Sequence, residues 1–242
     1  MSQVTIILPV YNEAAMVDRV FQAVHEFARA HTDYQFLFVD DGSIDATPRL
    51  LQKHIASAGL SRIRLHSYQP NGGKGHAIRT GVSLCDGEMV CFTDGDLAYS
   101  LDHLPLLVDA LKLNDVVIGS RSLVESGQKN IKLSRKLMGW TFNRCVRVLL
   151  GLPYRDTQAG LKGFRTAAAR EIFARQRLMD FAFDAELIFL ARRLHYKVAE
   201  VAARVSESHS YKVSTVNLAH DPLKMFLSLW KIRINSLRGM YD

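Results

Sequence analysis

The sequence predicts an α/β domain: a mostly parallel sheet with helices on both faces, followed by an amphipathic C-terminal helix. Two observations carry the prediction. Short apolar runs recur through the first half of the chain with little polar alternation, which marks strands buried on both faces. Each run is followed by a stretch with helical spacing, the crossover that parallel neighbours require.

The elements follow in order. Val4 to Val10, VTIILPV, is β-branched or aliphatic and ends next to a proline, and an amphipathic stretch opens at Asn12 and runs to about Ala30. YQFLFVDDGS is a second strand closing on polar residues, and DATPRLLQKHIASAG is a helix with Asp45 as its cap and Gly59 beyond its end. The strand IRLHSY leads through the loop QPNGGKG to a helix from about His76 to Leu84. The strand EMVCFTD, a helix near Leu104 to Lys112 and the strand DVVIGSR complete the first half. Residues 122 to 159 then hold the basic stretch KNIKLSRKLMGWTFNRCVRVLLG, read as helical, followed by LPYRDTQAGLKGFR. A helix around FDAELIFLARRLH and a strand YKVAEVAARV come next. With no internal repeat or long linker, residues 1–121 and 122–220 are expected to be two halves of one domain, and 221–242 its tail.

At 242 residues and 48% hydrophobic, the chain can bury a substantial core. Its cysteines, Cys85, Cys91 and Cys145, lie in no metal-ligand spacing, and an odd number argues against a disulfide framework, so a reducing cytosol is expected. MSQVTIILPVYNE lacks a basic leader and a cleavage site, and no apolar run reaches the roughly 18 residues that cross a bilayer. The expectation is a protein neither secreted nor membrane-spanning. A net charge of +7 favours an anionic partner: a nucleotide, a nucleic acid or a lipid surface. Nucleic acid is the weakest of these, because the basic residues are not interleaved with stacking aromatics and no reading helix is present.

Ligands of open parallel sheets bind beyond the carboxyl ends of the strands. Those ends hold Pro9 to Glu13 (PVYNE), Val39 to Ser43 (VDDGS), Gly72 to Gly75 (GGKG), Asp94 to Asp96 (DGD) and Gly119 to Arg121 (GSR). Any one of them alone reads as an ordinary turn or cap. Together they describe a site for a charged ligand. Asp94 and Asp96 are hard oxygen donors suited to Mg²⁺ or Mn²⁺ bridging to a diphosphate, and Gly95 allows close backbone approach. Asp41 and Glu13 are acceptors for a base or ribose, Tyr11 offers an aromatic surface, and Lys74, in a glycine-rich loop before a helix, suits a phosphate. The P-loop spacing is absent, and the first strand runs into VYNEA rather than GxGxxG. The expected ligand is a nucleoside diphosphate held through a metal.

ILPVYNE, FVDDGSIDAT, NGGKGHAIRTG, FTDGDLA and VIGSR, in that order, resemble the family 2 glycosyltransferases of the GT-A fold. RDTQAGLKGF, FAFDAELIFLA and AEVAARVSESHSYKV resemble the polyprenyl-phosphate branch, the dolichyl-phosphate glucosyltransferases first and the mannose synthases next, so that the likeness spans Val4 to about Val213. The resemblance implies a UDP-sugar or GDP-sugar donor, with Asp96 the main metal ligand and Asp94 beside it. It also implies that Pro9, Tyr11, Glu13, Val39 and Asp41 surround the nucleoside, and that the diphosphate is displaced with inversion, glucose being favoured over mannose. Two departures stand out. Ala98 occupies the place of a metal-holding glutamine of the mannose synthases, and Ser210, Tyr211 and Lys212 replace Gly-Ser-Lys, leaving only the lysine.

The acceptor decides whether a base is needed. A sugar hydroxyl must lose a proton, which calls for Asp184 or Glu186, whose alternative reading is a cap or a structural ion pair. A polyprenyl phosphate is already anionic and needs cations, for which Arg121, Arg135, Lys162 and Lys212 are candidates. The expected catalytic set is Asp96, Arg121, Arg135 and Lys212. Transfer to a hydroxyl acceptor and non-catalytic sugar-nucleotide binding stay open as alternatives. In the tail, Leu223, Phe226, Leu227, Trp230, Ile234 and Leu237 share one helical face, and Lys224, Ser228, Lys231, Asn235 and Arg238 line the other. That pattern fits either an anionic membrane interface or packing on the domain or on a second copy. The expectation is a cytoplasmic protein resting peripherally on the cytoplasmic face of a membrane, with homo-oligomerisation open.

Overall fold

The computed structural model describes residues 4–124, 143–180, 182–206 and 221–242, with side chains from residue 227 onward in the last of these. Seven strands form one sheet in the order β3-β2-β1-β4-β6-β5-β7. β1 (Val4–Val10) lies between β2 (Tyr34–Asp40) and β4 (Met89–Phe92), parallel to both, and β3 (Ile63–Ser67) extends the sheet beyond β2. β5 (Val116–Ser120) pairs parallel with β7 (Val198–Ala202). Between β4 and β5 runs β6 (Lys162–Arg165), antiparallel to both.

β6 is the element the sequence does not announce. It is four residues long and carries lysine, glycine and arginine, so it lacks the apolar run that marks the other strands. Its register sets Lys162 opposite Phe92, the last residue of β4, and so brings a lysine to the strand end that leads into Asp94. The same pairing stitches the second half of the chain into the sheet of the first.

Alternation along the strands divides the core into two layers. Ile6, Leu8, Phe36 and Phe38 pack with α1 (Val17–Ala30), α2 (Thr47–Ala58) and α4 (Leu104–Leu111). Ile7, Leu37, Phe92 and Phe164 face the other side. There they meet α3 (Lys74–Ser83), the helical residues 143–150 (α5), α6 (Thr166–Arg175), α7 (Phe183–Arg193) and α8 (Asp221–Leu237). Gly59 ends α2 in the left-handed conformation, as its position predicts. Asp45 does not act as the capping residue itself: α2 starts at Thr47, and the Asp45 carboxylate accepts from the backbone of Thr47 at 2.9 Å and of Ala14 at 3.1 Å, tying two loops together. No helix among the described residues is long and apolar enough to cross a membrane.

α8 corrects the sequence reading of the tail. Ser228, Leu229, Ile232 and Asn235 are buried against the domain, so two residues assigned to the solvent side face inward. The reason is a pair of polar partners: the Ser228 hydroxyl donates to Asp180 at 3.0 Å, and the Asn235 amide reaches the Tyr241 hydroxyl at 3.5 Å. On the opposite side Leu227, Trp230, Ile234 and Leu237 are exposed in one stripe. Lys231, Arg233 and Arg238 are exposed beside them. Leu223, Lys224 and Phe226 lie outside the described side chains.

Candidate functional site

The carboxyl edge of the sheet gathers the loops that the sequence marked. After β1, Asn12 takes a positive φ of 51° and is pinned from both sides: its backbone N–H donates to the Ser43 hydroxyl at 2.9 Å, and its side-chain carbonyl accepts from Ile44 at 2.9 Å. Glu13 donates its N–H to Thr47 at 2.8 Å. The loop of Tyr11 and Glu13 is therefore held on the loop of Asp41 by hydrogen bonds. Pro9 and buried Val39 lie in register on β1 and β2, and Tyr11 is exposed.

Asp41 is buried and busy. Its carboxylate accepts from the Tyr68 hydroxyl at 2.5 Å, the Gly72 N–H at 2.8 Å and the Asn71 amide at 2.9 Å. Its work in the structure is to fasten the glycine-rich loop that carries Lys74.

The DGD turn follows β4. A Cβ on Gly95 would fall 2.1 Å from the Pro9 carbonyl oxygen, so only glycine lets this turn press against the end of β1. A Cβ on Gly160 would fall 2.2 Å from an oxygen of Asp94, so the RDTQAG loop likewise seats that carboxylate by lacking a side chain. From the other side the Lys74 ammonium donates to Asp94 at 2.6 Å. The structure thus joins two residues that the sequence assigned to different ligands. Burial works against the Lys74 charge, but Asp94 and then Asp184 outweigh it and hold the ammonium above the usual lysine range. Burial likewise opposes the Asp94 charge, and Lys74, with Lys162 and Arg121 beyond it, keeps that carboxyl below the usual aspartate range. Asp96 accepts from the Ala98 N–H at 3.1 Å.

Arg121, after β5, forks onto Asp156 through Nε at 2.6 Å and Nη2 at 2.8 Å, and its own N–H also donates to Asp156 at 3.1 Å. Burial opposes ionisation of Asp156, and the guanidinium holds its carboxyl below the ordinary range. The Arg121 side chain stays 41% exposed.

Lys162 is not available to a ligand. It is fully buried, lies over the Phe92 ring, and donates to Asp184 and to the Ala159 carbonyl, each at 2.5 Å. Burial pulls its ammonium below the lysine range and pushes Asp184 above the aspartate range, despite their mutual attraction. Glu186 is also fully buried; it accepts from the backbone of Arg177 and Leu178, the latter at 2.8 Å, and from the Tyr241 hydroxyl at 2.5 Å. Both carboxylates considered as bases serve as internal partners. Arg135 and Lys212 lie outside the described residues.

Sequence reasoning missed Asp156 and Gly160 as working parts. RDTQAG was legible as a motif, but its contacts to Arg121 and Asp94 depend on β6 entering the sheet between β4 and β5. Beside that loop, the hydroxyls of Thr93, Ser120 and Thr157 and the Gln158 amide nitrogen have no hydrogen-bond partner among the described residues.

The donor set fits a divalent cation shared with a ligand. No group of three or more His, Cys, Asp or Glu side chains among the described residues could hold a metal alone. Two aspartates across a glycine, with a lysine beside them, match an ion that takes its remaining oxygens from a phosphate and water.

A family model described as glycosyl transferase family 2 matches residues 5–173. A dolichyl-phosphate beta-glucosyltransferase of Dictyostelium discoideum is 30% identical, over 95% of this chain and 76% of that protein. The protein of the same description from Homo sapiens is 29% identical, over 99% and 77%. Among solved structures, glucosyl-3-phosphoglycerate synthase from Mycobacterium tuberculosis in complex with UDP superposes with a TM-score of 0.63 at 18% identity, covering 96% of this chain and 79% of that one. A mannosyltransferase from Pyrobaculum calidifontis in complex with GDP-Man and Mn²⁺ gives 0.62 at 17% identity, covering 98% and 64%. At these identities the structural likeness speaks for the fold.

Proposed function

The chain belongs to glycosyl transferase family 2, and from that premise we propose that it transfers glucose from a nucleoside diphosphate sugar to a polyprenyl phosphate. The description shared by its relatives supports glucose and a dolichyl phosphate-like acceptor. The observation that carries the choice of acceptor is the state of Asp184 and Glu186. Both are buried and engaged by protein donors, Asp184 by the Lys162 ammonium and Glu186 by two backbone N–H groups and a tyrosine hydroxyl, which argues against a base for a hydroxyl and suits an acceptor that arrives ionised.

On this reading Asp96 and Asp94 hold Mg²⁺ or Mn²⁺, and the ion's chemistry is to neutralise charge on the departing diphosphate. Pro9, Tyr11, Glu13, Val39 and Asp41 line or support the nucleoside pocket, Gly95 brings the metal turn to it, and Lys74 serves the diphosphate. Arg121, oriented by Asp156, meets the acceptor phosphate with the N–H groups it does not give to Asp156, and Arg135 and Lys212 are assigned to the same anion. Residues 1–121 form the donor half, 122–220 the acceptor half and 221–242 a tail. The exposed stripe of α8, with its flanking cations, supports peripheral docking on an anionic, cytoplasmic membrane face.

The test is incubation with Mg²⁺ or Mn²⁺, radiolabelled UDP-glucose or GDP-mannose, and a short polyprenyl phosphate, followed by lipid extraction. Label should enter the lipid phase from UDP-glucose, and fall at least 100-fold in Asp96→Asn or in excess chelator. With a soluble saccharide added to the same mixture, label on the saccharide and none in the lipid phase would overturn the assignment.

A further inference from the structure

Lys74 and Asp94 were expected to serve different ligands, yet they bond to one another. The arrangement is built rather than incidental. Lys74 is the first residue of α3, and the backbone beside it is fixed where the Gly75 N–H donates to the Met179 carbonyl at 3.2 Å. Its ammonium lies 5.8 Å from the centre of the Phe183 ring and donates to Asp94 Oδ1 at 2.6 Å. Gly160 closes the opposite side of the same carboxylate. Asp94 therefore has little room to turn away from its lysine.

A cation that took Asp94 as a ligand would have to compete with that hydrogen bond and sit beside a positive charge. Like charges at this range oppose each other strongly in a partly buried site. A diphosphate reverses the balance, because it gives the ammonium an alternative anion and brings oxygens to the ion. We infer that Lys74 is a gate on the metal site, holding Asp94 against a free divalent cation and releasing it when cation and diphosphate arrive together. The consequence is that the metal–nucleotide complex, not the free ion, is the species the protein takes up. This rests on the donor reading given above and adds an order of binding to it.

The test is a Mn²⁺ titration of the full chain, followed by the electron paramagnetic resonance signal of the free ion, with and without UDP. Wild type should bind Mn²⁺ weakly alone and much more tightly with UDP. Lys74→Met should bind Mn²⁺ alone at least tenfold more tightly than wild type, and lose most of the gain from UDP. Lys74→Arg, which keeps the charge, should follow wild type. Thermal midpoints give a second readout that also reports folding: Mn²⁺ alone should raise the midpoint of Lys74→Met more than that of wild type. Folded Lys74→Met with unchanged or weaker Mn²⁺ binding would overturn the gate. Asp96→Asn separates the two levels. If it abolishes Mn²⁺ binding while Lys74→Met leaves it unchanged, only the gate fails; if it has no effect either, the metal assignment fails with it.

Discussion

Lys162 is fully buried and Asp184 nearly so, so their ion pair forms at the expense of two desolvated charges. Breaking such a pair from one side leaves the other charge buried and unpaired, at a cost of about 3–5 kcal/mol, whereas replacing both with apolar residues of similar volume is often neutral. Lys162→Met and Asp184→Leu should each lower the unfolding free energy read from urea titration by about that much, and the double variant should regain most of it. A base at Asp184 would give a different pattern: the double variant would be stable but inactive on a hydroxyl acceptor. The expected result here is a stable double variant that still glucosylates polyprenyl phosphate, because the acceptor brings its own charge.

Among the elements, α8 has its inner and outer faces reversed relative to simple amphipathic logic. Its mixed face, Ser228, Leu229, Ile232 and Asn235, is buried, and its apolar stripe looks outward between Lys231, Arg233 and Arg238. Substitutions on the outer stripe should therefore leave stability nearly unchanged and alter only what the stripe touches. Leu227→Ser with Leu237→Ser, the two most exposed residues of the stripe, should change the unfolding free energy by less than about 0.5 kcal/mol, the usual range for surface positions. The same variant should bind vesicles containing anionic lipid at least tenfold more weakly in a sedimentation assay. Replacing Lys231, Arg233 and Arg238 by serine should remove the salt-sensitive part of binding, each being worth about 1 kcal/mol near such a surface. Equal vesicle binding by all three proteins would leave α8 without a role at the membrane.

At the scale of the molecule, residues 240–242 tie α6, α7 and the segment between them together. Tyr241 is buried and donates to Glu186, Arg175 donates to the Tyr241 carbonyl at 3.1 Å, Arg177 donates to that of Met240 at 3.1 Å, and Arg193 pairs with Asp242. Burial raises the Glu186 carboxyl above its ordinary value of 4.5, though Tyr241 and the backbone donors pull it down. With a folded pKa above the unfolded one, the group favours folding when protonated in both states, and that contribution is lost as pH rises through the folded value. Tyr241→Phe removes a stabilising donor to the charged form and should cost about 1.5–3 kcal/mol at neutral pH. The loss should shrink as pH falls toward 4.5, because a protonated Glu186 needs that donor less. A pH-independent loss in urea unfolding would assign Tyr241 to packing alone.

The sequence by itself determined the alternation of strands and helices, the class of sheet, and the residue types waiting at its carboxyl edge, because strand burial and helix crossovers write themselves into local periodicity. Asp94 to Asp96, the glycine-rich loop of Lys74 and the terminal Arg121 were legible for that reason. Tertiary structure alone decided who answers to whom. A buried charge is stable only beside its partner, and the partners here come from strands and loops far apart in the chain: Lys74 with Asp94, Arg121 with Asp156, Lys162 with Asp184, Glu186 with Tyr241. The short antiparallel β6 creates much of this by inserting the RDTQAG loop beside the DGD turn, and its four residues hold too little apolar pattern to predict it. The orientation of α8 escaped the sequence for a related reason. A serine and an asparagine read as solvent-facing until Asp180 and Tyr241 meet them with hydrogen bonds, since a polar side chain can be buried wherever the fold supplies its partner.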